Sequence, residues 1–421
     1  MAAYLPKLRP LLRPTTVGER NVRNVIVDGI GVGLVVGVGT FLPVFLVRLG
    51  ASSFLVGLLT SLPAFTGALL GLPVGRMLER QRNIVPWYSG SRVWVLLSYA
   101  LFGLLPFIVP QAFVPATIIG IWALVTIPST IVNVTFPLVM GGVAGPERRF
   151  YLMSLRWSTL GLSTAVGVML IGQILERIAF PLNYQLVFIA SFAGGLLSYV
   201  FSRSIVLPDN PPPPAHERRI SWGRQLREGW QGFLATPAFA RFVGSAFVFR
   251  SGIAMALPLF PLYWVREVHA SDAWIGIIST ANSVVLMVAY FTWSVWARRF
   301  GNRRALLITS MGMSFYPLLT AVTPVMGLLA FFAGLVGFFS AGNDLVNFDL
   351  ALSTCPKEHQ ATYIAFNQTT QNIALFLFPI VGTLLADMVG LRAALVVASG
   401  LRLLGVGMYA ALGVGGGAPK P

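Results

Sequence analysis

The sequence predicts an all-α polytopic membrane protein with twelve transmembrane helices, and three observations support this fold class. Of its 421 residues, 56% are hydrophobic and only 10% are charged, whereas soluble domains carry about 25% charged residues. The mean hydropathy is +0.76. Apolar runs of about 20 residues, the length that crosses a bilayer, follow one another almost to the C-terminus. A soluble domain with one large core is therefore excluded.

The apolar runs define twelve predicted spans, numbered 1 to 12 in chain order. The first six are 24–47, 53–75, 84–109, 112–140, 153–175 and 184–207, and the second six are 239–264, 273–297, 305–323, 325–353, 361–386 and 391–413. The predicted domains are an N-terminus (1–23), two six-helix bundles (24–207 and 239–413), a linker (208–238) and a tail (414–421). The linker contains a proline run that cannot be helical. Its stretch 220–234 is basic and amphipathic, as expected of a segment on the membrane surface.

The net charge of +16 is explained by membrane topology rather than by nucleic acid, which is not expected as a partner. With a cytoplasmic N-terminus, 21 basic residues fall on the cytoplasmic side and four on the other. Positive flanks resist translocation, so this bias predicts that both termini are cytoplasmic. The expected location is the cell membrane.

The two halves share a repeated pattern. A basic loop follows the second span of each half, "GRMLERQRN" at 75–83 and "ARRFGNRR" at 297–304. A loop with proline, charged residues and tyrosine follows the fourth span of each half, at 146–157 and 356–368. Matched six-span halves are typical of transporters built from internal repeats, in which the solute site lies near the midplane.

These spans and loops resemble the major facilitator superfamily over the whole chain. The family's loop pattern is Gly-x-x-x-Asp-Arg-x-Gly-Arg-Arg, and the second copy has Ser294, Arg298, Arg299, Gly301, Asn302 and Arg303 at its defined places. The first copy has Gly71, Gly75, Arg76, Leu78, Glu79 and Arg80. Arg298 and Gly75 replace the motif's acid, and Glu79 restores a carboxylate one turn later.

The resemblance implies two pseudo-symmetric bundles, alternating access, and a central cavity lined by spans 1, 4, 7 and 10. It also implies a set of cytoplasmic gating-loop residues: Arg76, Glu79, Arg80, Arg298, Arg299, Gly301 and Arg303. Span 5 has no Gly-Pro motif of drug/proton antiporters, and no Pro-Glu-Ser-type sequence of sugar porters follows span 6. Both absences make those substrate classes less favoured without excluding them.

Six candidate charged residues lie within the predicted spans, and a charge there costs about 2.5 to 3.5 kcal/mol on insertion scales. They are Asp28, Arg92, Arg156, Arg250, Asp344 and Asp349. Equal numbers of acids and bases suggest ion pairing. Arg250, near the middle of span 7, is expected to bind an anionic group or to pair with Asp344, and Asp344 is expected to titrate. A permanent ion pair that locks two helices is the structural alternative.

Each remaining charge has a structural alternative to a role in the solute or proton pathway. Asp28 lies about four residues into span 1, where a carboxylate caps the first helical turn. Arg156 lies near the start of span 5, where its side chain can snorkel to lipid headgroups. Arg92 lies deeper, in span 3. Asp349 is expected to join a network on the loop side of span 10.

Uncharged polar residues form the next layer of candidates. Asn343 and Asn347 flank Asp344 in span 10, and Asn133 occupies a similar depth in span 4. In span 11, Asn367 and Gln371 lie four residues apart, on one helix face. These amides either contact solute or form interhelical hydrogen bonds worth about 0.6 kcal/mol each. Glycines recur every four residues in span 1, which favours close helix packing.

No catalytic, metal-binding or ATP-binding pattern accompanies these candidates, so no cofactor is expected. One cysteine and three scattered histidines do not make a zinc site, and the phosphate-binding loop motif is absent. The sequence therefore predicts a secondary transporter for an anionic or amphiphilic solute, coupled to protons and monomeric in the lipid. A drug/proton efflux pump of the same fold is the alternative. A membrane enzyme or a non-transporting receptor represents a different class.

Overall fold

The structure is a computed structural model that describes residues 14–79, 81–208, 223, 230, 233, 235–354 and 360–416. All regular elements in this part of the chain are helices. Twelve helical segments within it are long and apolar enough to cross a membrane. The predicted fold class and number of spans are therefore confirmed.

Most spans are single helices whose ends lie within a few residues of the predicted ones. In the first half the helices are Val17–Gly39 and Leu42–Arg48 (span 1), Ser53–Glu79 (span 2), Val85–Ile108 (span 3), Val114–Arg177 (spans 4 and 5) and Leu182–Arg203 (span 6). In the second half they are Pro237–Ala256 and Leu259–Arg266 (span 7), Asp272–Phe300 (span 8), Asn302–Val322 (span 9), Met326–Ser353 (span 10), Gln360–Val389 (span 11) and Leu391–Ala411 (span 12).

Spans 1 and 7 are each interrupted at a corresponding point. In span 1 the first helix ends at Gly39, four residues before Pro43, and in span 7 it ends at Ala256, five residues before Pro261. A proline lacks the amide hydrogen and its ring clashes with the carbonyl four residues earlier, which ends the preceding helix. Each break is followed by a short helix that ends on an arginine. The matched breaks are the structural counterpart of the sequence repeat.

Span 1 begins earlier than predicted. Its helix starts at Val17, where the Thr16 side chain and Glu19 form a reciprocal capping box. Asp28 is consequently the twelfth residue of the helix. The interpretation of Asp28 as a first-turn cap is wrong, because the polar segment before the apolar run is itself helical.

Spans 4 and 5 are joined by helix where a loop was expected. The helical run Val114–Arg177 has 64 residues, about 96 Å at 1.5 Å per residue. It contains most of one candidate span, Gln111–Ala144, and all of a second, Leu155–Arg177. The residues between them include glutamate, arginine, leucine and methionine, which are good helix formers.

The chain forms two compact units whose limits differ from the linker-based division. One unit contains the described residues up to Phe41 and those from Leu69 to residue 208. The other contains residues 42–68 and the described residues from 223 onward. The first unit therefore lacks the end of span 1 and most of span 2, which cluster with spans 7 to 12.

Within the second unit, two arginines make reciprocal contacts that hold residues 42–68 in place. Arg48 Nε donates to Asp272 Oδ1 at 2.9 Å, and Arg266 Nη1 donates to Ser53 Oγ at 3.0 Å. Each guanidinium also donates to a backbone carbonyl beside its partner residue, at 3.0 Å and 2.6 Å. We call these four residues the arginine clasp. The sequence predicts Arg48 and Arg266 only as loop charges.

Candidate functional site

In the first unit, four side chains from three spans surround the carboxylate of Asp28 on span 1. Arg92 Nη1 lies 2.8 Å and 2.7 Å from the two oxygens of Asp28, and Arg156 Nη2 donates to Asp28 Oδ2 at 3.1 Å. Ser198 Oγ donates to Oδ1 at 2.6 Å, and the Tyr88 hydroxyl donates to Oδ2 at 3.4 Å. Asp28 is fully buried. We call this group the Asp28 cluster.

Glycines in span 1 bring the other spans close enough to form the Asp28 cluster. A Cβ at Gly31 would lie 2.7 Å from the Gly194 carbonyl oxygen of span 6. A Cβ at Gly33 would lie 2.6 Å from the Leu160 carbonyl oxygen of span 5. Only glycine allows these backbone approaches. Gly33 belongs to the series of glycines that recurs every four residues and has the expected packing role, whereas Gly31 lies outside that series.

The Asp28 cluster has one negative and two positive charges, all buried. The Arg156 guanidinium lies 4.6 Å from the Phe136 ring centroid, and the Arg92 guanidinium lies 4.3 Å from the Tyr88 ring centroid, so aromatic faces contribute to holding both cations. Removing one partner of such a buried pair typically costs about 3 to 5 kcal/mol. The geometry is that of a lock between spans 1, 3, 5 and 6.

Arg156 was expected to reach toward lipid headgroups, and this interpretation is wrong. Its side chain is 2% exposed and binds Asp28. The prediction failed because the partner of Arg156 lies 128 residues away in sequence, where no local pattern identifies it. Arg92 pairs with the same acid rather than lying in an open pathway.

In the second unit, a carboxylate and a guanidinium are accessible and unpaired. The Tyr290 hydroxyl of span 8 donates to Asp344 Oδ2 of span 10 at 2.9 Å, and the Asp344 side chain is exposed. Arg250 of span 7 is half-buried, and span 7 contacts span 10, which carries Asp344. Among the described residues, Arg250 has no hydrogen bond and no ion pair within 4.0 Å. We call Arg250, Tyr290 and Asp344 the Asp344 site.

The amides beside the Asp344 site bind one another. Asn343 Nδ2 donates to Ser310 Oγ at 2.8 Å, and Asn347 Nδ2 donates to Asn343 Oδ1 at 2.9 Å. Both asparagines are buried. They therefore belong to the contact between spans 9 and 10 and do not compete for Asp344. This is the structural alternative that the sequence left open.

The other polar candidates are dispersed. Asn133 of span 4 is exposed and lies in the first unit. Asn367 is buried in span 11, and its Oδ1 has no hydrogen-bond partner in the described part of the chain. Gln371 is half-buried one turn later. The structure places none of these three with Arg250 and Asp344 through a hydrogen bond between described residues.

The predicted gating loops are only partly described. Arg80 lies outside the described residues, as do most residues of the amphipathic stretch 220–234. Arg76, Glu79 and Arg298 lie on helices, but the description does not extend to their side chains.

In the second loop, the turn between spans 8 and 9 is a single glycine. Gly301 has a φ of +77°, which favours glycine at this point. Arg299 is exposed, and Arg303 donates to the Ala410 carbonyl of span 12 at 3.3 Å. Asn302 donates to the carboxylate of Asp349, so Asp349 joins a network at this end of span 10 as predicted.

One buried cation, Arg402 of span 12, is not among the residues predicted from the sequence. It is 3% exposed, and it donates to the Gly252 and Met313 carbonyls at 3.2 Å and 2.9 Å. Among the described residues no carboxylate lies within 4.0 Å of it. A lone arginine in the middle of an apolar run was the signal that could have identified it.

Comparison with known sequences points to one family. Residues 242–415 match the family model described as Major Facilitator Superfamily. Multidrug resistance protein MdtG of Salmonella choleraesuis is 26% identical over 178 residues, which cover 41% of this chain and 40% of that protein. MdtG of Serratia proteamaculans is 26% identical over 198 residues, 44% of this chain and 42% of that protein. The chain thus aligns with less than half the length of these relatives.

Comparison with solved structures extends over almost the whole chain. The nucleoside transporter NupG has a TM-score of 0.69 at 12% identity, covering 93% of this chain and 98% of that one. A POT family transporter in complex with 5-aminolevulinic acid has a TM-score of 0.72 at 10% identity, covering 94% and 96%. A bacterial homologue of the iron transporter ferroportin has a TM-score of 0.69 at 14% identity, covering 94% and 98%. At these low sequence identities, the similarity shows a shared fold only.

Proposed function

The chain has the Major Facilitator Superfamily fold and matches that family's model in its second half, and from this premise we propose that it is a secondary active transporter. It moves a small organic solute across the cell membrane by alternating access. The observation that carries the proposal is the Asp344 site, where two opposite charges on apolar spans remain accessible and unpaired. The solute is anionic or amphiphilic, and the transporter acts as a monomer in the lipid.

The contrast between the two units separates structural charges from candidate transport charges. The charges of the Asp28 cluster are buried and neutralise one another in part. Arg250 and Asp344 have no such partner among the described residues. An exposed charge facing hydrocarbon would cost about 2.5 to 3.5 kcal/mol. These two side chains are therefore best accommodated beside a polar, water-filled space, as a solute pathway provides.

Asp344 is also the candidate for coupling to protons. It is an accessible acid on an apolar span, and a single described hydroxyl, that of Tyr290, donates to it. Intramembrane carboxylates of this kind mark proton pathways. Gaining a proton removes the charge of Asp344 and weakens its attraction for Arg250 or for a cationic group of the solute. Coupling requires that the site interact differently with the solute in two states, and the protonated and ionised forms of Asp344 supply that difference.

Proton-coupled efflux of drugs is the second candidate function. It is favoured by the similarity to MdtG, whose name describes a multidrug resistance protein. The exposed aromatic ring of Tyr290 at the Asp344 site suits a lipophilic solute. Because each relative aligns over less than half its length, substrate and direction are part of the proposal.

The decisive experiment is solute-driven proton flux in proteoliposomes, measured with an internal pH dye. Wild-type protein is expected to move protons when one member of a panel of organic acids and lipophilic drugs is added. Asp344→Asn is expected to abolish the flux, and Arg250→Gln to reduce solute binding. Asp349→Asn is the matched control, because it removes an exposed acid from the same span.

Three outcomes would contradict the proposal. Unchanged flux in both Asp344→Asn and Arg250→Gln, with normal folding, would remove these residues from the pathway. Solute-dependent stabilisation without any flux would favour a receptor. Chemical conversion of an added compound by the purified protein would favour a membrane enzyme.

A further inference from the structure

The Asp344 site offers one positive and one negative group on different spans of the same unit. Arg250 lies on span 7, whereas Asp344 and its hydroxyl donor Tyr290 lie on spans 10 and 8. Spans 7 and 10, which carry the two charges, contact each other, and no ion pair within 4.0 Å joins the two charges. The two groups therefore do not bind each other directly.

Both groups retain most of their binding capacity. An ionised carboxylate has about four acceptor positions and a guanidinium has five N–H donors. Tyr290 occupies one position on Asp344. The neighbouring asparagines 343 and 347 are engaged with each other and with Ser310. No described side chain neutralises Arg250.

We propose that the solute is zwitterionic, with a cationic group that binds Asp344 and an anionic group that binds Arg250. This inference rests on the proposed transport function and adds the charge class of the solute. A purely anionic solute at Arg250 would be repelled by ionised Asp344, and a purely cationic solute at Asp344 would be repelled by Arg250. A solute with both groups is attracted at both ends and leaves the site electrically balanced.

The test uses matched probes that differ only in charge. The first trio is L-tryptophan, its methyl ester and N-acetyl-L-tryptophan, which are zwitterionic, cationic and anionic. The second trio is L-leucine, its methyl ester and N-acetyl-L-leucine. The concentration giving half-maximal thermal stabilisation of the purified full chain is measured at one pH. The proteins are wild type, Arg250→Gln, Asp344→Asn and the control Asp349→Asn.

A zwitterion is expected to stabilise wild type at a concentration roughly 10- to 100-fold lower than either singly charged analogue. This ratio corresponds to the free energy of one hydrogen bond to a charged group. Arg250→Gln and Asp344→Asn should each remove this advantage. Arg250→Gln should strengthen binding of the cationic ester, and Asp344→Asn should strengthen binding of the anionic N-acetyl compound, because each substitution removes the charge that repels that probe. Asp349→Asn should behave as wild type.

Several results would overturn the proposal. These are an N-acetyl compound that binds as well as the zwitterion in wild type, a zwitterion advantage that persists in both variants, or stabilisation by none of the six probes. A direct Arg250–Asp344 pair would also overturn it. Such a pair predicts that, without probe, the double variant unfolds at a higher temperature than either single variant.

Proteoliposome flux distinguishes failure of this inference from failure of the proposed function. Arg250-dependent transport of an N-acetyl compound alone would reject the zwitterion while retaining the transporter. Zwitterion binding that depends on both residues without any flux would reject the transporter while retaining the charge class of the ligand.

Discussion

At the residue scale, two acids on apolar spans have opposite surroundings. Asp28 is fully buried and accepts hydrogen bonds from two arginines and two hydroxyls. Asp344 is exposed and accepts one described hydrogen bond, from Tyr290. At Asp28, charged and hydroxyl partners offset the free-energy cost of burying the carboxylate. Asp344 avoids this cost because it is exposed. The two acids should therefore respond differently to loss of charge.

Asp28→Asn should destabilise the protein rather than change its transport selectivity. The substitution leaves two buried guanidinium groups without a counter-charge, at an expected cost of about 3 to 5 kcal/mol in the free energy of unfolding. Thermal unfolding followed by tryptophan fluorescence measures this loss. Asp349→Asn, which affects an exposed acid, should cost less than about 1 kcal/mol. An unchanged melting temperature with lost transport would instead make Asp28 a transport residue.

Arg402→Met should have little effect on stability, in contrast to Arg92→Met. Arg402 is buried, and its hydrogen bonds among the described residues go only to backbone carbonyls, so its removal relieves a desolvation cost. The change in the free energy of unfolding should be within about 1 kcal/mol. Arg92→Met leaves Asp28 short of its main partner and should cost about 3 to 5 kcal/mol. Equal losses in the two variants would show that Arg402 has a stabilising partner of comparable strength.

At the element scale, glycine positions determine which helices approach closely. Gly31 and Gly33 allow span 1 to contact the backbones of spans 6 and 5. By contrast, a Cβ added at Gly161 of span 5 would meet no neighbouring atom within 4 Å. The sequence showed the glycine periodicity but could not show which glycines face a backbone.

Gly33→Ala should separate spans 1 and 5. Its Cβ would lie 2.6 Å from a backbone oxygen and 2.9 Å from the Ser163 Cβ, so the helices must move. The expected loss in the free energy of unfolding is about 1 to 3 kcal/mol. Gly161→Ala is the matched control and should gain up to about 1 kcal/mol from helix propensity. Similar effects of the two substitutions on the melting temperature would refute the packing role.

The connections between elements were the least predictable part of the fold. A loop was expected between spans 4 and 5, but helix continues through it. Span 1 begins seven residues before the predicted position 24, at Val17. In both cases polar residues with good helix propensity extend a helix beyond its apolar part. An apolar pattern defines what lies in the bilayer and does not define where a helix ends.

At the scale of the whole molecule, basic residues predict the orientation in the membrane. Both termini are proposed to be cytoplasmic, because the bias of 21 basic residues to four favours that side. In a Cys355→Ser background, Asn83→Cys should then react with a membrane-impermeant maleimide only after the membrane is opened. Ser52→Cys should react in intact cells. The reverse pattern would invert the topology.

The boundary between the two compact units also depends on the fold of the whole chain. A division at the linker follows from the sequence repeat, yet residues 42–68 cluster with the second half. The arginine clasp contributes to this grouping through Arg48 and Arg266. These two residues are 218 positions apart in sequence. Only the folded chain shows that Arg48 contacts the segment that follows Arg266 and that Arg266 contacts the segment that follows Arg48.

The sequence by itself determined the membrane class, the twelve spans and the four-residue spacing of glycines in span 1. These follow from local quantities, since about 20 apolar residues at 1.5 Å per residue cross the hydrocarbon of a bilayer. The tertiary structure decided which charges are neutralised. Asp28 meets partners 64, 128 and 170 residues away, whereas Arg250 and Asp344 are left accessible. Charge pairing depends on distances in space, which no local property of the sequence specifies.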